Sequence, residues 1–164
     1  MSNSNDADVQ QLTVAEVLEA VGAARPTSGA GVAAALALAL AAACARKAVG
    51  VTRNHRDGEE LRPIGERLAA LEALAVEHAR RDQLVFAEYL KTKEPKAAQH
   101  LVDSSGLFQQ LLVDLGREIE RLPDLVADNV AGDISAARSL HRAAAEISAD
   151  LLRGARAERS RVVP

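Results

Sequence analysis

Apolar residues recur at helical spacing along most of the chain, and the coarse reading is helix throughout. Thr13-Val14-Ala15-Glu16 has the form of a capping box, and Val14, Val17, Leu18 and Val21 follow it on one face. A first short helix is therefore predicted to run to Ala24, where Pro26 and Gly29 stop it. The second helix is the run Val32-Ala33-Ala34-Ala35-Leu36-Ala37-Leu38-Ala39-Leu40-Ala41-Ala42-Ala43-Cys44-Ala45, ending near Thr52, where Arg53-Asn54-His55-Arg56-Asp57-Gly58 offers turn chemistry. The third and longest periodic segment spans Leu61 to Lys93, accepts Pro63 in its first turn, and is closed by Glu94-Pro95. A fourth passes through Leu101, Phe108, Leu112, Leu115, Ile119 and Leu122 to Pro123, with Asp103-Ser104-Ser105-Gly106 as the place for a bend or break. The last is predicted to start at Asp133, an N-cap after Gly132, and to continue through Ile134, Ala137, Leu140, Ala144, Ile147 and Leu151.

Composition narrows this picture. The chain has 164 residues, of which 48% are hydrophobic but only 2% aromatic. A core built almost wholly from Ala, Leu, Val and Ile favours helices packed at short distance over a sandwich or barrel. No repeat or linker divides the chain. The fold class expected is all-α, a single-domain antiparallel bundle of five helices covering residues 12–156, with a disordered segment at 1–11 and a basic tail at 157–164. The net charge of −3 and the scarcity of rings argue against a nucleic-acid platform, which stacks bases on several aromatics in a basic groove. Cys44 is the only cysteine, so neither an intrachain disulfide nor a thiolate metal cluster can form, and a cytoplasmic location is the natural reading. No charge occurs from Pro26 to Ala45, nearly the length of a membrane span. That stretch nevertheless opens on Pro, Thr, Ser and Gly and is mostly weakly apolar Ala, so no membrane association is expected.

Two features carry candidate chemistry. The first is the turn Pro26-Thr27-Ser28-Gly29-Ala30-Gly31, which leads directly into the Ala/Leu helix. Glycines at a helix mouth let backbone N–H groups approach a ligand, and the helix dipole attracts carboxylate, phosphate or a polarised carbonyl. The plainer reading is a turn that only starts a buried helix. The second is Asp82. Ile64, Leu68, Leu71, Ala75, His78, Asp82, Val85 and Tyr89 share one helix face, which places a carboxylate on an apolar stripe. Such a group is paired, hydrogen-bonded or facing a cavity, and burial lifts its pKa toward the range useful for proton transfer. The alternative is a structural pair with His78 or with an Arg of a neighbouring helix.

Other residues offer less. His55 with Asn54 and Asp57 reads as a solvated turn, so no metal site is assigned, and His100 and His141 are isolated. Neither a Gly-x-Ser-x-Gly elbow nor a Gly-Lys-Ser/Thr phosphate loop is present.

Together these residues resemble a known family. The turn and helix are similar to the Pro-Thr-Pro-Gly-Gly-Gly-Ser-Val-Ala-Ala motif of the cyclodeaminase/cyclohydrolase family: Pro26, Thr27, Gly29, Gly31, Ala34 and Ala35 match, and Thr52 falls on the family's Thr at the end of that helix. Asp82, Phe86 and Tyr89 resemble its Asp-x-x-x-Phe-x-x-Tyr element, Pro95-Lys96 its Leu-Pro-Lys, and Gly132-Asp133 its Ser-Asp. The resemblance implies an all-α homodimer that takes a tetrahydrofolate derivative as substrate, with no tightly bound cofactor. The chemistry implied is at one carbon bridging two folate nitrogens, either as a methenyltetrahydrofolate cyclohydrolase or as a formiminotetrahydrofolate cyclodeaminase. The former is preferred because no formiminotransferase domain is fused within these residues. Carried over, Asp82 is the acid/base; Thr27, Ser28, Gly29 and Gly31 form the ligand cradle with Thr52, Tyr89 and Asp133; and Lys96 meets a carboxylate. Among the departures from the motif, Ser28 stands for its second Pro, Ala30 for its middle Gly and Val32 for its Ser. If that middle position takes positive φ, Ala costs about 1 kcal/mol there. The other reading is a diverged member, without turnover, that binds folate or a protein partner.

Overall fold

A computed structural model describes residues 13–24, 26–55 and 59–162. Five α-helices account for most of them: α1 Val14–Gly22, α2 Gly29–His55, α3 Arg62–Thr92, α4 Pro95–Arg121 and α5 Ala131–Val162, with short 3-10 turns at Glu59–Leu61, Leu122–Asp124 and Asp128–Val130. No strand occurs among the described residues. The four long helices form a ring in which each packs on two neighbours, α2 on α3 and α5, and α4 on α3 and α5. Successive members run in opposite directions. The N-termini of α2 and α4 therefore lie at the same end of the bundle as the C-termini of α3 and α5.

The Ala/Leu run makes this packing tight. Ala34, Ala35, Ala41, Ala42, Ala45 and Ala48 of α2 are fully buried, and with so little side chain at the contact the helix axes can approach to about 8 Å. Leu38, Val49, Leu68, Leu112, Leu115 and Ile119 fill the remaining space, while Leu61 and Leu122 from the short turns close the end away from the N-terminus of α2. α2 is the one described helix long and apolar enough to cross a membrane, with a mean hydropathy of 1.8, and 56% of its most apolar window is buried inside the bundle.

The boundaries follow local chemistry. The capping box at α1 forms as read: Glu16 N–H donates to Thr13 Oγ1 at 3.3 Å, and Thr13 N–H donates to Glu16 Oε2 at 2.7 Å. That helix ends at Gly22, two residues before the predicted Ala24, and α2 runs on to His55, so Asn54 and His55 belong to its last turn. α3 ends where Lys93 turns to φ 55°, its N–H donating to Tyr89 O at 2.9 Å, and Pro95 then opens the next helix. α4 consequently begins six residues before Leu101 and is unbroken through Asp103-Ser104-Ser105-Gly106. Its buried face, Ala97, Leu101, Ser104, Phe108, Leu112, Leu115 and Ile119, never loses helical phase, and this outweighs the cost of about 1 kcal/mol for an exposed interior Gly106. α5 starts at Ala131 rather than Asp133. Asp133 is not an N-cap; it sits inside the first turn, and its carboxylate accepts from Lys47 Nζ at 2.8 Å. The basic tail reads as a solvated helix end, and α5 is helical to Val162. The expectation of disorder at 1–11 lies outside the described residues.

Candidate active site

A cavity of about 600 Å³ opens at the end of the bundle where α2 begins. One wall is the turn from Thr27 to Gly31. Asp82, Phe86, Tyr89, Leu90 and Lys93 of α3 form the second, Leu101 and Ser105 of α4 the third, and Ile147 to Glu158 of α5 the fourth. Beneath it, a small apolar cluster of Tyr89, Ala97, Ala98, Leu101 and Ala155 holds the ends of α3, α4 and α5 together.

Asp82 and the glycine turn meet, although they are 54 residues apart. Ser28 Oγ donates to Asp82 Oδ2. Gly31 makes this approach possible, since a Cβ at that position would collide with both Asp82 Oδ2 and Ser28 Oγ. Gly29 is tight for another reason: a Cβ there would stand 3.2 Å from the Val21 carbonyl, where α1 folds back over the turn. Burial pushes the Asp82 carboxyl above the usual carboxylate range, and the Ser28 hydrogen bond opposes that shift without cancelling it. Asp82 therefore combines proximity to a cavity with an affinity for protons greater than that of an ordinary aspartate.

His78 is not its partner. The imidazole stacks on Phe108 with ring centroids 4.6 Å apart, and burial, aided by Arg81, lowers its pKa to about 4. Among the described residues no Arg pairs with Asp82 either; the partner is the serine that stands where the family motif has its second proline. The substitution of Ala30 for the middle glycine is also harmless to the backbone. Lys93 is the only non-glycine at positive φ among the described residues, so Ala30 takes helical backbone and the anticipated strain is absent. Val32, in place of the motif's Ser, is buried, and it lines a small crevice with Val17 and Val21 of α1.

Three expected ligand residues lie elsewhere. Thr52 is fully buried 23 residues along α2 from Gly29, about 35 Å away at 1.5 Å per residue. Its hydroxyl donates to Ala48 O at 2.9 Å and accepts from Ala127 N–H at 3.0 Å, so it ties the end of α2 to the connection before α5. Asp133 is at that same far end, paired with Lys47. Lys96 is exposed on the first turn of α4, outside the cavity wall. Lys93 lines the cavity instead, with its ammonium 4.4 Å from the centroid of the Tyr89 ring. Tyr89 lines the cavity, and its hydroxyl donates to Glu158, which also binds Arg161. Its acceptor role in that contact holds the Glu158 carboxyl below the ordinary range. Lys93 and Glu158 were not singled out from the sequence, although Ile147, Leu151, Gly154 and Glu158 recur at helical spacing and face the cavity together.

The profile of the formiminotransferase-cyclodeaminase family matches residues 13–104, more than half of the chain. The chain belongs to that family. The matched stretch holds the glycine turn, Asp82 and Lys93, and stops before the wall that α5 supplies. Among solved structures, the formiminotetrahydrofolate cyclodeaminase of Thermotoga maritima superposes with a TM-score of 0.86, at 22% identity, over 92% of this chain and 81% of that one. At that identity the likeness is one of fold, and it extends the family architecture across all four walls. Comparison with curated protein sequences finds no match.

Proposed function

We propose that the protein is a tetrahydrofolate one-carbon enzyme in which Asp82 carries the proton. The observation that supports this most is the carboxyl group of Asp82, raised in pKa by burial and held against Gly31 at the edge of a 600 Å³ cavity, in a chain of the formiminotransferase-cyclodeaminase family. Chemistry at a carbon between two folate nitrogens needs a group that takes a proton from the attacking water or nitrogen and returns it to the departing nitrogen. A carboxyl poised above its usual range serves both directions. The N-terminal turn of α2 offers free backbone N–H groups to a polarised oxygen, and the Lys93 ammonium suits the substrate's carboxylate in the role that Lys96 cannot reach.

Two reactions share this step. Hydrolysis of 5,10-methenyltetrahydrofolate adds water to the amidinium carbon and opens the ring to the formyl form. Cyclodeamination instead brings a folate nitrogen onto a formimino carbon, and ammonia leaves. The family description and the name of the Thermotoga maritima relative favour cyclodeamination. The experiment mixes purified protein with each substrate, following loss of the methenyl absorbance in one cell and its gain with ammonia release in the other. Asp82→Asn is expected to abolish the enzymatic rate while raising the melting temperature at pH 7, because a carboxylate whose folded pKa is raised is charged there at a cost to the folded state. An Asp82→Asn variant as active as the wild type would remove this residue from the reaction.

A further inference from the structure

We propose that Ser28 is a positioning residue for Asp82, clamping one carboxylate oxygen against the α2 turn and leaving the other, Oδ1, open to the cavity as the atom that exchanges the proton. The proposal rests on the reading of Asp82 as the proton carrier. Three observations meet at this point. The Ser28 hydroxyl donates to Oδ2, and the missing Cβ of Gly31 leaves the only room in which Oδ2 and the hydroxyl can meet. Oδ1 has no hydrogen-bond partner among the described residues. It is not sealed in protein either, since the only fully buried side-chain polar atom left unpaired there is Ser104 Oγ. The open space that Asp82 borders is the cavity. The Ser28 hydrogen bond restrains Oδ2 at the turn and leaves Oδ1 on the cavity side, so the carboxyl is positioned before a substrate arrives.

The family motif carries proline at this position, which offers no hydroxyl, so the clamp belongs to this chain and not to the motif. It should also set the pH at which Asp82 works. A hydrogen bond donated to the charged carboxylate favours ionisation, and its loss lets burial act unopposed. The titratable and charged groups around Asp82 are His78, Tyr89 and Lys93 on its own helix, with Arg81 beside it, and Asp150 and Glu158 across the cavity on α5. The α2 turn and α4 contribute none to the wall. Asp150 is held by Arg153 and Glu158 by Tyr89 and Arg161, and among the described residues the one hydrogen bond to the Asp82 carboxyl comes from Ser28.

The test compares Ser28→Ala with Ser28→Thr. One readout needs no turnover: carbon NMR titration of the Asp82 side-chain carboxyl, assigned by the signal that Asp82→Asn removes. The other is the pH profile of kcat/KM with whichever folate substrate the wild type consumes. Ser28→Ala is expected to move the Asp82 titration upward by about one pH unit and to carry the pH profile with it, while Ser28→Thr restores both, because it keeps the hydroxyl. A titration that stays in place in Ser28→Ala overturns the proposal, as does a folded Ser28→Thr that behaves like Ser28→Ala. An upward titration shift in a protein that consumes neither folate upholds the clamp and defeats the proton-carrier reading, so the two failures are distinguishable.

Discussion

The space above Gly31 decides where Asp82 can be. Adding one methyl group at that position drives it into Oδ2 and into the serine hydroxyl, neither of which can retreat without breaking their contact. Gly31→Ala is expected to stay folded, since Ala favours the helix, and to lose about 100-fold in kcat/KM through displacement of the carboxylate, measured by steady-state kinetics beside a melting curve. His78 gives a different kind of prediction. Above pH 6.5 its ring is neutral in both the folded and the unfolded chain. Below that value the unfolded chain takes up a proton that the folded one refuses until about pH 4, so stability falls as the pH drops through this window. The loss amounts to about 3 kcal/mol across the window. His78→Phe keeps an aromatic face against Phe108 without the titration, and denaturant unfolding between pH 7 and 4 should show its stability flattening by that amount. Asp82 was legible in the sequence as a carboxylate on an apolar stripe. Its partner was not, because position 28 reads as a departure from a motif until the fold sets it beside position 82.

The helices were legible wherever one face keeps its phase, as in α2 and α3, and less so where a helix starts. α4 begins at Pro95 because proline suits a first turn, yet the same residue also reads as the stop of α3, and a single reversal at Lys93 satisfies both. α5 begins before Asp133 because that side chain is taken by Lys47 of α2, a contact across 86 residues that no local signal announces. Thr52 shows how a residue can match a motif and serve the scaffold. Its hydroxyl bridges the last turns of α2 to Ala127, so Thr52→Val orphans a backbone N–H and is expected to cost about 1–3 kcal/mol in denaturant unfolding while kcat/KM with folate stays at the wild-type value. A fall in kcat/KM at full stability would return Thr52 to the site.

At the scale of the molecule, sequence periodicity showed four long helices and left open how they enclose space. The cavity needs all four, and its α5 wall comes from residues about 70 positions beyond Tyr89, as the Tyr89–Glu158 contact shows. That distance is why Glu158 is not legible from the sequence while the glycine turn is, whereas Lys93 reads only as the end of α3. The single chain also leaves Val14, Leu18 and Leu40 well exposed, and nothing among the described residues covers them. The homodimer implied by the sequence resemblance would cover such residues, and sedimentation equilibrium is expected to return twice the 17.3 kDa chain mass. A concentration-independent mass of one chain would refute it.

The alternating course of the helices brings both ends of the described chain to the same pole of the bundle: α1 folds over the glycine turn, and Val162 packs among the residues beneath the cavity. A fusion partner, affinity tag or surface tether joined directly after Val162 will therefore crowd the ligand's entrance. A reporter grafted into the Leu122–Val130 connection, at the opposite pole, should leave the entrance clear.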